Sequence, residues 1–392
     1  MVVSRSLTRR AFLARTAAIG CSAAASPALT PVTLAATPWD NRLVVIVLRG
    51  GMDALDVVRP VSDPHYSALR PTLASGDQFP VLDGSHALHP GLSALMPLWD
   101  AGQLGFVQAV ATPYRNKRSH FDGQDLLESG GAGLDGVQSG WLNRAIGLVP
   151  GATVQTGLAL GISKLKLLSG SAPVVEWAPN AGFELSPATA ELAERLMRED
   201  RLFADAFAQA KDLSSMAVSA DRRRGRSPTA RLASFAAEQL RGSARVAAFS
   251  INGWDTHSAQ ARGLTRALGN LSDAFLTLKQ GLGAQLWGRT TILAMTEFGR
   301  TVRENGTRGT DHGTGGALIY AGGMVRGRQI AGRWPGLEES DLLDRRDLMP
   351  TSDIRAHVAG VLRAVAGLDR HDLETTVFPG LDIGSGHDVR LI

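Results

Sequence analysis

The sequence lacks several features that would settle its chemistry early. One cysteine, Cys21, occurs in 392 residues, and it lies in an N-terminal stretch expected to be removed. Without it the chain forms no disulfide and offers no thiolate nucleophile, iron–sulfur ligand or cysteine zinc site. No uncharged apolar run reaches the roughly 18 residues of a membrane span, so none is expected. There is no G-x-S-x-G elbow, no phosphate-cradling G-x-x-x-x-G-K, no H-E-x-x-H and no G-x-G-x-x-G after the first strand-like run. Internal repeats and long linkers are absent too. The remaining excess of charge is illusory. The whole chain carries +4, but residues 1–36 hold Arg5, Arg9, Arg10 and Arg15 and no acid. Removing them takes 41 basic residues to 37, which equals the 37 acids. A neutral remainder gives no support for a nucleic-acid partner, and none is expected.

Residues 1–36 read as a twin-arginine secretory signal. Arg9-Arg10 precedes Ala11-Phe12-Leu13, and a weakly hydrophobic, small-residue stretch runs on to Ala36. Cleavage is expected after Ala25, Ala35 or Ala36, and a strand-like run from Arg42 favours the later pair. The expected compartment is periplasmic or secreted, with the twin-arginine export machinery as the first partner. Ala18-Ile19-Gly20-Cys21 faintly resembles a lipoprotein cleavage box, but the apolar run before it is short.

Beyond residue 36 one domain, 37–392, is expected. Apolar strand-like runs at 42–48, 104–110, 154–160, 173–177, 244–251, 290–295 and 317–321 alternate with helical stretches. That pattern predicts a three-layer α/β fold, a mostly parallel central sheet with helices on both faces. Ser186-Pro187 and Ser227-Pro228 each open a helix, with Ser as cap and Pro in the first turn. Further helices are expected over 258–281 and from Ser352 to about Gly367. The first two helices could form a hairpin packed on the sheet or over the site. The Arg-rich run 221–226 between them reads as a solvated loop, or as a contact for an anionic partner.

Chemistry-bearing residues follow the strands, at the edge where open α/β sheets bind ligands. Arg49-Gly50-Gly51-Met52-Asp53 turns sharply after the first strand and leaves a carboxylate, Asp53, which also reads as a turn or cap residue. Arg118-Ser119-His120-Phe121-Asp122 opens a helix; its hydroxyl sits in a positive field, although Ser119 with Asp122 also fits a simple cap. In Gly253-Trp254-Asp255-Thr256-His257, residues two apart face the same way, so Asp255 and His257 can meet one ion; His257 as a helix cap is the alternative. Glu297 follows the strand at 290–295. Asp311-His312 lies among glycines, where one residue can ligate and the other support it. His86 and His89 precede a helix, and His89-Pro90 reads as a cap.

These motifs, L-R-G-G-x-D, R-S-H-F, G-W-D-T-H, E-F-G-R-T and G-T-D-H-G, together resemble the secreted family known as DUF1501. Leu88-His89-Pro90, Val325-Arg326-Gly327 and Val377-Phe378-Pro379-Gly380 extend the resemblance over most of the chain. The family looks like a branch of the alkaline phosphatase/sulfatase superfamily. The resemblance implies hydrolysis of phosphate or sulfate esters with a divalent ion (Zn, Mn, Ca or Mg). It implies Asp53, Asp255, His257, Glu297, Asp311 and His312 around that ion, with Ser119, His120 and Arg118 as catalytic residues. Ser119 would be the nucleophile, and Arg118, with Arg49, would offset charge on a small anionic ester. Glu297-Phe298 departs from the superfamily's Asp-His, and Thr314 stands where many family members have His. A non-catalytic secreted binding or assembly protein, working with a co-encoded secreted partner, is the alternative function.

Overall fold

A computed structural model of the chain describes residues 39–75, 79–115, 118–161, 165–178, 227–384 and 390–392. The expected signal peptide, the helix opened by Ser186-Pro187 and the 221–226 charge run lie outside the described residues.

Strand β1 (Arg42–Arg49) is central, and Leu43 to Leu48 are completely buried. A continuous apolar run suits a strand covered on both faces. The other strands of its sheet are β2 (Leu104–Ala111), β3 (Gly157–Leu160), β4 (Val175–Trp177), β5 (Val246–Asn252), β6 (Thr290–Thr296), β7 (Gly316–Ala321), β8 (Ile330–Ala331) and β9 (Ser352–Asp353). Their order is β8-β2-β7-β6-β1-β5-β3-β4, with β9 pairing β2 beyond β8. Every pairing is parallel except the two made by β7, with β2 and β6. The reversal has a local cause. Residues 297–315 join β6 to β7 without a helix, and a parallel crossover needs one. The strand expected from residue 154 starts at Gly157, because the Thr156 hydroxyl accepts the Thr153 N–H and holds those residues in a turn.

Helices α1 (His120–Ser129), α2 (Trp141–Leu148), α3 (Pro228–Arg241), α4 (Gln260–Trp287) and α5 (Ile354–Ala366) flank the sheet. Val44, Ile46 and Leu48 of β1 share a core with Phe235 and Leu240 of α3 and with Leu264, Leu268 and Phe275 of α4. Ser227 caps α3 by accepting the Ala230 N–H, as its Ser-Pro signature predicts. His89 likewise caps residues 90–95 through the Gly91 N–H. Two helix starts differ from expectation. Asp353, not Ser352, caps α5 by accepting the Arg355 N–H, while the Ser352 hydroxyl lies 2.9 Å from His357 Nε2. Helix α4 begins after Ala259, a left-handed residue (φ 47°), so His257 is two residues too early to cap it.

The fold brings the motifs together through register. Arg49 of β1 is level with Asn252 of β5, and Leu48 with Thr296 of β6. Gly50-Gly51, the 253–257 loop and the 297–315 loop therefore leave one sheet edge side by side. The 253–257 and 297–315 loops flank β1 rather than following adjacent strands. The two glycines are required there. Gly50 has φ +124°, and a Cβ on it would lie 2.5 Å from the Asp255 nitrogen; one on Gly51 (φ +67°) would meet the Phe298 ring at 2.8 Å. Among the described residues no helix is long and apolar enough to cross a membrane.

Candidate metal centre

Three imidazoles meet one carboxylate at this edge. His257 Nε2 lies 3.0 Å and His312 Nε2 3.3 Å from Asp255 Oδ1, and His120 Nε2 lies 3.4 Å from Asp255 Oδ2. The Nε2 atoms of His257 and His312 are 3.0 Å apart. His120 rides on the first turn of α1, whereas Asp255, His257 and His312 come from the loops after β5 and β6. Phe298 floors the group, with its ring 5.0 Å from those of both His120 and His312.

The opposite nitrogen of each ring fixes its tautomer. His120 Nδ1 is 2.8 Å from Glu297 Oε1, His257 Nδ1 is 3.1 Å from Asp311 Oδ1, and His312 Nδ1 is 2.8 Å from the Arg118 carbonyl oxygen. All three partners only accept, so each Nδ1 carries the hydrogen and each neutral ring presents an Nε2 lone pair. The three lone pairs converge on an anion. Among the described residues the buried Nε2 of His120 has no hydrogen-bond partner. Neutral rings would repel one another and Asp255 here; only a proton or a cation at the centre reverses the sign.

The spacing suits an ion. Four donors each roughly 2.0–2.1 Å from a tetrahedral metal stand about 3.3 Å from one another. His120, Asp255 and His312 offer ligand atoms within 4.8 Å of one another, and His257 Nε2 stands 3.0 Å from both Asp255 Oδ1 and His312 Nε2. The side chains of Asp255 and His257 are 47% and 46% exposed, so solvent reaches the group.

Electrostatics reinforce the arrangement. Burial tends to raise the pKa of Asp255, but the hydrogen bond and charge of Arg300, then His257 and His120, hold the carboxyl down at about 2. The Glu297 bond raises His120 above the ordinary imidazole value, against the opposing effect of burial. Burial pushes His312 down, and the neighbouring His120 and Arg300 add to this, which keeps the ring neutral. Glu297 stays low despite its burial, because His120 and Gln124 donate to it.

Not every expected residue reaches the centre. Asp53 is withdrawn: buried, with Oδ2 2.5 Å from both Arg70 Nη1 and Gln260 Nε2. A carboxylate ion-paired with a fully buried guanidinium serves that cation. Glu297 and Asp311 sit one bond back, behind His120 and His257. The Ser119 hydroxyl caps α1, accepting the Asp122 N–H at 3.4 Å, and among the described residues it has no hydrogen bond to the cluster. Arg118 contributes its carbonyl, aimed at His312 by a left-handed φ of 51°, and its guanidinium is 4.0 Å from Asp347. Thr314 donates to Asp347 at 2.9 Å. Arg49 pairs with Glu128 at 2.6 Å and also donates to Gln124.

Arg300 is the residue that sequence reasoning missed. Its guanidinium, fully buried, donates to the carbonyls of Gly50, Gly51, Trp254 and Thr310 and to Asp255 Oδ1 at 2.6 Å. It ties three strand-end loops together and directs its charge at the carboxylate that faces the three imidazoles. The signal was its place in E-F-G-R-T, an arginine at the strand edge among glycine-rich loops. The Arg300→Met protein is expected to lose about 3–5 kcal/mol of stability, because those carbonyls and Asp255 lose their donor. Arg345→Met, at an exposed site, is expected to stay within about 0.5 kcal/mol of the parent. Denaturant titration of both variants checks this.

Comparison with known proteins places the chain in a family. The family described as "Protein of unknown function (DUF1501)" matches residues 108–377, and the chain belongs to it. No curated protein matches the sequence. Among solved structures, the alkaline phosphatase of the Antarctic bacterium TAB5 is similar at 12% identity, TM-score 0.31, over 73% of this chain and 92% of that one. A Mg-bound mutant of the TAB5 enzyme is similar at 12% identity, TM-score 0.33, over 73% and 90%.

Proposed function

We propose that this DUF1501 protein binds one divalent ion through His120, Asp255, His257 and His312 and hydrolyses phosphate or sulfate esters beside it. The convergence of three Nε2 lone pairs on Asp255 carries the reading. When bound, the ion would polarise an ester oxygen and lower the pKa of an attacking hydroxyl. The chain supplies the rest. Glu297, Asp311 and the Arg118 carbonyl hold the rings in one tautomer. Phe298 walls the centre, and the exposed Arg118 guanidinium faces an anionic substrate. Ser119, next to His120 in the chain, is the proposed nucleophile.

The donor set narrows the ion. Imidazole nitrogens suit zinc and its transition-metal neighbours, whereas magnesium and calcium prefer oxygen. Zinc is therefore expected to raise the melting temperature of a chain beginning at residue 37 more than magnesium or calcium does, and a chelator is expected to lower it. An ion held at 100 times its Kd contributes roughly 2.7 kcal/mol. His257→Ala and His312→Ala are each expected to remove most of that shift, and His86→Ala none. Protons compete for the same nitrogens, so affinity falls as pH drops. His120, with its raised pKa, takes up a proton before His312 does. A melting curve indifferent to zinc and to chelator, in a protein that elemental analysis finds free of metal, would refute the centre.

A second reading draws on Asp53 and Ser119. With Asp53 held by Arg70 and the Ser119 hydroxyl engaged as a cap, a metal-loaded but non-catalytic binding protein is the alternative. A panel of aryl phosphates and sulfates with added zinc separates the two. Turnover lost on Ser119→Ala supports the hydrolase with this nucleophile; turnover unchanged removes Ser119 from the role. No turnover by a zinc-loaded parent favours the binding protein and its co-encoded secreted partner. Either protein is proposed to leave the cytoplasm by the twin-arginine route. Arg9→Lys with Arg10→Lys is expected to hold it inside, as fractionation would show; unchanged export would exclude that route.

A further inference from the structure

His120, Gln124 and Glu128 recur every fourth residue of α1 and so share one face of the helix. That face meets the ends of β1 and β6. Glu128 Oε1 accepts from Arg49 Nη2 at 2.6 Å, and its other oxygen accepts the Leu167 N–H at 2.9 Å. The second Arg49 amino group, Nη1, donates to Gln124 Oε1 at 2.5 Å. Gln124 Nε2 donates to Glu297 Oε1 at 3.0 Å, and the same oxygen accepts from Gly50 N at 2.9 Å and His120 Nδ1 at 2.8 Å. Glu297 Oε2 accepts from Thr296 Oγ1 at 3.1 Å.

Every direction from Arg49 to His120 is determined. Arg49 only donates, so the carbonyl end of the Gln124 amide must face it, and the NH2 end must face Glu297. A reversed amide would set two oxygens against each other at Glu297 and two donors against each other at Arg49. Glu297 is anionic and buried, so His120 must offer it Nδ1–H. The lone pair of His120 is thereby committed to Nε2, at the centre.

We propose that Gln124 and Glu297 are positioning residues that set the tautomer and angle of His120, with Arg49 fixing the sense of the Gln124 amide. This rests on the metal-centre reading. It assigns Glu297 and Arg49 roles other than metal ligand and substrate cation, and it gives Gln124 a function through a ring it does not touch. Partners of metal-bound histidines that hold the second nitrogen are worth about 10–100-fold in affinity.

The test uses Co2+ as a spectroscopic probe on the chain beginning at residue 37, with the parent, Glu297→Gln and Gln124→Glu compared. Both substitutions are isosteric. The first removes the charge that holds His120 Nδ1–H. The second keeps an acceptor for Arg49 but turns a carboxylate oxygen on Glu297. Each variant is expected to bind Co2+ about 10–100-fold more weakly, with an altered absorption spectrum. Its ion-free melting temperature is expected to stay close to that of the ion-free parent. A merely structural role would lower that temperature and leave the spectrum alone. Variants with parental affinity and spectrum overturn this proposal and leave the metal centre standing. A parent that binds no Co2+ or Zn2+ overturns both. If one variant fails to fold the other decides, and if both fail the network is structural and the positioning role falls.

Discussion

The Asp255 carboxylate is the point on which the site depends. Arg300, fully buried, approaches from the protein side, and three imidazole nitrogens approach from the solvent side. Arg300 keeps the carboxylate ionised, and the acceptors behind the three rings keep their lone pairs inward. These two demands conflict unless positive charge sits between them. The fold therefore gathers one carboxylate and three lone pairs at the common end of β1, β5 and β6. It does so with Gly50 and Gly51, where no side chain would fit.

The carboxylates of this edge have divided their work. Asp255 faces the centre. Glu297 and Asp311 stand behind rings, and Asp53 neutralises Arg70 while accepting from Gln260, which also reaches Asp56 at 3.0 Å. Bringing Asp53 to the centre would strand a fully buried guanidinium, a cost of several kcal/mol. Among the candidate carboxylates of this edge, Asp255 is thus the one that faces the three imidazoles. Glu297 reaches back to His120, and the adjacent Phe298 stacks on its ring.

Much of this was legible in the sequence because it is local. A continuous apolar run marks β1 as central, and Ser-Pro marks the start of α3. Asp255 and His257 two apart, and Asp311-His312 among glycines, marked the two loops that the structure brings together. What was hidden depends on distant pairing. Glu297 meets His120 across 177 positions, and Asp53 meets Arg70 only after the chain has doubled back. No local pattern distinguishes a carboxylate that binds an ion from one that binds an arginine. Backbone donors and acceptors leave no sequence trace either, so the carbonyl role of Arg118 was invisible. The spacing of His120, Gln124 and Glu128 was visible, but its meaning required knowing what that helix face meets. The antiparallel β7 was readable in principle, from a connection that lacks a helix.

Anomalous diffraction at the zinc edge, from crystals of the chain beginning at residue 37 grown with zinc, tests the central claim most directly. The account predicts one strong peak among His120 Nε2, Asp255, His257 Nε2 and His312 Nε2, with Glu297, Asp311 and Asp53 outside bonding distance. An empty centre, with the imidazoles hydrogen-bonded through protonated Nε2 atoms, would contradict it, as would an ion bound instead by Asp53 or Glu297.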